Sequence, residues 1–88
     1  MEKPSMITIR QVKAARALLG WSQINLAEKS GVSVPTIERL EGRDGVLGGR
    51  PETVQKIVAA LVSVGIEFLN DGEPGVRLTK RRRRSPSR

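Results

Sequence analysis

The chain contains no cysteine and no histidine. The first absence removes disulfide staples, and the two together remove metal sites built on thiolate or imidazole as well as Cys–His and Ser–His–Asp nucleophile chemistry. No pair of carboxylates falls on one predicted helix face, so general acid–base catalysis has no candidate. No catalytic residue, cofactor site or metal site is therefore assigned. The aromatic residues are Trp21 and Phe68 alone, too few to stack unpaired bases on a row of rings. No apolar run approaches the roughly 18 residues of a membrane span, and the N-terminus lacks an apolar leader. The expectation is a soluble, cytoplasmic protein without membrane contact. Its 88 residues allow one small domain and exclude a second.

What the chain does have is positive charge, a formal +7 with a pI near 11.1. Its placement matters more than its sum. Lys80, Arg81, Arg82, Arg83, Arg84 and Arg88 sit in the last nine residues with no acid among them, which leaves ten Lys and Arg against nine Asp and Glu in residues 1–79. Bulk electrostatics thus argues for a polyanion at the tail only. In the body, any such partner must be met by particular side chains. The division expected is a flexible lead-in at 1–7, a folded domain at 8–79, and a basic disordered tail at 80–88.

The pattern of caps and stripes predicts mainly helix. Thr8 and Gln11 have capping-box spacing, Ile9, Val12, Ala15 and Leu19 follow on one stripe, and Gly20 stops the run. Ser22 caps a short helix to about Ser30, with Leu26 and Ala27 inward and Gly31 at its end. Ser33 caps another, with Pro35 in its first turn, Ile37 and Leu40 inward and Gly42 as its stop. Residues 42–50 carry four glycines and read as a permissive, mobile loop. From Pro51, the residues Val54, Ile57, Val58, Leu61 and Val62 form the most regular stripe of the chain, ended by Gly65. Beyond it, Ile66–Leu69 and Val76–Thr79 alternate as two short strands around Asn70–Gly75, a β-hairpin that needs helices or a second chain to support it.

The tight pair of helices from Ser22 to Glu41, separated only by Gly31-Val32-Ser33, is a helix–turn–helix. Its inward residues leave Val34, Pro35, Thr36, Glu38, Arg39 and Arg43 on the outer face of the second helix. In the DNA-binding use of this unit that helix enters the major groove while the first crosses the phosphate backbone. Ser22 and Gln23, at the first helix's N-terminus, are then placed to bond a phosphate. The residues Gly20-Trp21-Ser22-Gln23, Leu26 to Ser33 and Thr36 to Glu41 resemble the Xre/lambda-repressor-like helix-turn-helix family, over about residues 8 to 65.

That resemblance implies a compact four-helix, lambda-repressor-like bundle, here followed by a short C-terminal hairpin. It implies a DNA-binding transcription regulator, repressor or dual, associated with the nucleoid in a bacterial or mobile-element setting. Its partner would be a (pseudo)palindromic operator in double-stranded DNA, bound as a homodimer. By position, Ser22 and Gln23 match the backbone clamp, Val34, Pro35, Thr36 and Arg39 the base-facing residues, and Arg43 a phosphate contact. Arg16 and Glu41 match a buried ion pair between the first and third helices. Val34 and Pro35 stand where polar residues are common, so Arg39 is the one strong hydrogen-bonding base reader. The hairpin stands where the family has a fifth helix, so dimerisation is expected through 66–79 or through the 51–64 helix.

Other readings of the same residues stay open. Arg39 on a short helix is also compatible with a solvated cation paired to Glu38 or Glu41. Arg43 and Arg50, flanking the glycine loop, are phosphate candidates or slack. The tail from Lys80 to Arg84 is either an auxiliary DNA arm or a charged end with no partner. The competing function is an antitoxin or adaptor whose main partner is another protein.

Overall fold

A computed structural model describes residues 7–70 and 72–79; the lead-in, Asp71 and the basic tail from Lys80 onward lie outside the described residues. Helices α1 (Ile9–Leu19), α2 (Gln23–Ser30), α3 (Val34–Glu41) and α4 (Pro51–Ser63) are followed by strands β1 (Ile66–Leu69) and β2 (Gly75–Leu78). The fold is mainly α, a four-helix bundle closed by an antiparallel hairpin.

Local chemistry sets the helix ends. Thr8 Oγ1 accepts from the Gln11 backbone N–H, and Ser22 Oγ does the same for Asn25, each in a reciprocal capping box. Ser33 caps α3 by accepting from the Thr36 N–H. Between α2 and α3 the chain must reverse within three residues, and Gly31 takes a left-handed φ of 78° to do so. A side chain there would meet no atom within 4 Å, so the requirement for glycine is purely one of backbone conformation.

The core is built from Ile9, Val12 and Ala15 of α1, Leu26 and Ala27 of α2, Ile37 and Leu40 of α3, and Ile57, Ala60 and Leu61 of α4, with Ile66 from the hairpin. Val32 plugs the turn between α2 and α3. The expected stripe of α4 is narrower than its sequence: Val54 and Val58 are half-buried and Val62 is 49% exposed, while Ala60 takes the inward place.

Two features differ from the sequence reading. The loop from Gly42 to Arg50 is anchored. Ile9 N–H donates to Gly45 O at 2.9 Å, Leu47 N–H donates to Ile7 O at 2.8 Å, and Leu47 is buried in the core. Its glycines permit the path, but the backbone of the segment before α1 fixes it through a bridge between Thr8 and Val46. Asp44 on this loop is held below its ordinary pKa of 3.8, first by the Gly45 N–H and then by the Arg10 guanidinium.

The second strand runs one residue earlier than its alternation implies, pairing Ile66 with Leu78, Glu67 with Arg77, Phe68 with Val76 and Leu69 with Gly75. Thr79 falls past the strand, where its N–H donates to Gly65 O at 2.8 Å. The hairpin gains the support it needs from α1. Gln11, only 4% exposed, donates from Nε2 to Leu69 O at 3.1 Å and Gly75 O at 2.9 Å, while its Oε1 accepts from the Thr8 N–H at 2.9 Å. One carboxamide thus caps α1 and clasps both strands.

Candidate nucleic-acid interface

The outer side of α3 follows from which of its residues the core takes. Ile37, Leu40 and Glu41 are buried, so the turn of the helix leaves Pro35, Glu38, Arg39 and, beyond the C-cap, Arg43 exposed. Arg39 and Arg43 form no ion pair with any described residue. Thr36 is half-buried, and its Oγ1 accepts from Ser33 Oγ at 3.0 Å, which leaves the Thr36 hydroxyl proton for another acceptor. Val34 is also half-buried and packs against the core cluster, so only part of its apolar surface faces outward.

The start of α2 lies within the same unit. Ser22 is exposed, and its Oγ accepts from the Asn25 N–H at 3.1 Å, leaving the hydroxyl as a free donor at a helix N-terminus. Gln23 is half-buried and turned toward α3: its Nε2 donates to Glu41 Oε1 at 3.0 Å. The clamp expected of Gln23 is therefore a side chain with one partner already in place.

Arg16 and Glu41 meet as a bidentate pair, Nε to Oε2 at 2.8 Å and Nη2 to Oε1 at 2.6 Å, with the Glu41 side chain 4% exposed. The fork geometry is the strong form of a guanidinium–carboxylate contact. It joins the middle of α1 to the last residue of α3.

Beside α3 a cleft of about 270 Å³ opens toward the start of α4, lined among others by Arg39, Arg50 and Lys56 with Thr36 and Thr53 between them. Lys56 forms no ion pair with a described residue, and Arg50 reaches Glu52 only at 4.0 Å with both side chains open to solvent. Such an exposed pair holds Arg50 weakly. Lys56 is a cation that sequence reasoning missed: on the chain it is one solvated residue of α4, and only the fold brings it to the cleft that Arg39 also lines.

A larger cleft of about 610 Å³ lies between α1, the glycine loop and the hairpin turn. Its polar groups are engaged with one another. Arg10 and Asp44 pair at 3.1 Å, and Gln11 is occupied by the hairpin.

Two short helices locked by Leu26, Val32 and Ile37, with Arg39 and Arg43 unpaired among the described residues, have the arrangement of a DNA-binding helix-turn-helix. Residues 12–41 match the family model described as Helix-turn-helix. The match runs from the first turn of α1 to the end of α3 and supports the resemblance to the Xre/lambda-repressor-like family. No curated protein gives a significant match to the chain. Among the described residues no helix is long and apolar enough to cross a membrane.

Proposed function

We propose that the protein is a sequence-specific transcription regulator, a repressor or dual regulator, that binds double-stranded operator DNA as a homodimer in the cytoplasm. The observation that carries this reading is the exposed face of α3, where Arg39 and Arg43 stand without ion-pair partners among the described residues beside the free hydroxyl of Ser22. Arg39 reads a guanine through its paired N–H donors, the pairing its fork geometry matches best. Val34 and Pro35 offer apolar contact to a thymine methyl, and Thr36 donates its hydroxyl. Ser22, Gln23, Arg43 and Arg50 hold phosphates, and Lys56 joins them from α4. Arg16 and Glu41 keep the contact helices in place. The tail from Lys80 to Arg84 adds affinity without sequence choice through counterion release.

One short recognition helix offers few base contacts, so two copies read half-sites about 34 Å apart. Support for a pairing surface comes from Val62 and Val64 at the end of α4 and Leu78 at the end of β2, which are 49%, 36% and 41% exposed. Leu78 shares the inner face of the hairpin with Ile66, yet lies at its margin, where a second copy would cover it.

The test is selection of bound duplexes from a random pool at two salt concentrations, with the mass of the free protein measured in parallel. Enrichment of a sequence with two symmetric half-sites is expected. A pool that stays random contradicts sequence-specific binding, and a monomeric mass at micromolar concentration contradicts the dimer.

A further inference from the structure

The buried carboxylate of Glu41 has more partners than an ion pair requires. Its Oε2 accepts from Arg16 Nε at 2.8 Å, and its Oε1 accepts from Arg16 Nη2 at 2.6 Å and also from Gln23 Nε2 at 3.0 Å. Arg16 in turn donates from Nη1 to Trp21 O at 3.0 Å. The two residues that flank Ser22 are therefore both tied to the same pair, Trp21 through its backbone carbonyl and Gln23 through its side chain. Ser22 stands exposed between them as the N-cap of α2. Glu41 is also the last residue of α3, so one carboxylate connects the end of the recognition helix to the start of the helix before it.

We infer that Glu41 and Arg16 are positioning residues for DNA contact: they fix Trp21–Gln23 relative to α3, so that the phosphate clamp and the base-reading face keep one spacing before DNA arrives. The inference rests on the DNA-binding reading proposed above. If the pair served stability alone, the Arg16–Glu41 fork would suffice, and Gln23 would be free to swing on its side-chain torsions. Its donation to Glu41 removes that freedom in the unbound protein, and a preorganised donor loses less entropy when a phosphate binds. The amide keeps a second N–H to donate to that phosphate.

Two measurements test this. The first is ¹⁵N relaxation of the Gln23 side-chain amide in the free wild-type protein. An order parameter near the rigid-backbone value of about 0.85 is expected, and one below about 0.6 overturns the inference. This needs no variant, so it decides the matter even if Glu41→Gln does not fold.

The second is a double-mutant cycle on affinity for a random duplex, at a temperature where circular dichroism shows every variant fully folded. Gln23→Ala and Glu41→Gln each lower affinity about tenfold, the size of one hydrogen bond to a charged group. The double variant is no weaker than either. Losses that multiply to about a hundredfold, or a Gln23→Ala variant with unchanged affinity, overturn the inference. A merely structural Glu41 would not couple to Gln23 in the fully folded protein. Should the wild type itself fail to bind duplex DNA, the functional reading falls, while the relaxation result still reports whether Gln23 is fixed.

Discussion

The half of the molecule formed by α2 and α3 and the half formed by α1 and the hairpin are stabilised in different ways. In the first, the cap residues lie three positions from their partners, Ser22 to Asn25 and Ser33 to Thr36, and glycine ends α2 by its own backbone geometry. In the second, Gln11 reaches across 58 and 64 residues to hold Leu69 and Gly75. The polar groups named on the hairpin side bond within the chain, as Glu67 does with Arg77 and Thr79 with Gly65. On the α3 side, Arg39 and Arg43 are exposed and form no ion pair among the described residues. The named polar groups of one half are engaged within the chain, and the other half presents exposed donors.

Substitutions that break this contrast differ in what they leave unpaired, from a charged partner to a single helix cap. Glu41→Ala leaves Arg16 without its carboxylate at a site where Glu41 is 5% exposed, and it should cost about 3–5 kcal/mol of stability in chemical denaturation. Gln11→Ala strips a donor from two strand carbonyls. It is expected to cost about 1–3 kcal/mol, and hydrogen exchange should accelerate in β1 and β2 with little change in α3. Equal acceleration in both halves would show that they unfold as one unit, against the division drawn here. Ser33→Ala removes only a cap and should cost about 1 kcal/mol, with loss of protection at the start of α3.

The smallest effect is electrostatic. Asp44 is held below its ordinary value by Gly45 and Arg10, so its contribution is present above pH 3.8 and is lost as the pH falls through its lower folded value. Both partners are exposed, with 80% and 67% of their side-chain surface open, so the effect on stability is slight. Its check is the Asp44 side-chain chemical shift, which should titrate below the ordinary carboxylate range. A midpoint at or above 3.8 would contradict the Gly45 and Arg10 contacts in solution.

The same contrast explains what the sequence made legible. Caps, glycine stops and helical stripes act over three or four residues, so α1 to α4 and the helix–turn–helix can be read along the chain. Gln11 shows its capping role in the sequence because Thr8 is three residues away, but its grip on the hairpin depends on packing that no local pattern encodes. The glycine loop looks free because composition reports what a backbone permits, whereas Leu47 and Ile7 decide where it goes. Val62 completes a stripe on paper and is left outside because the hairpin covers α4 only in part. Lys56 and the bond from Gln23 to Glu41 likewise appear only once the helices are packed.

The central claim is that the exposed face of α3 reads base pairs. Its most direct test is the affinity of wild type and Arg39→Ala for a selected duplex and for a random one, at the same salt. Loss of about 1–3 kcal/mol of discrimination in the variant, confined to one position per half-site, is the predicted result. An unchanged ratio between the two duplexes would contradict it.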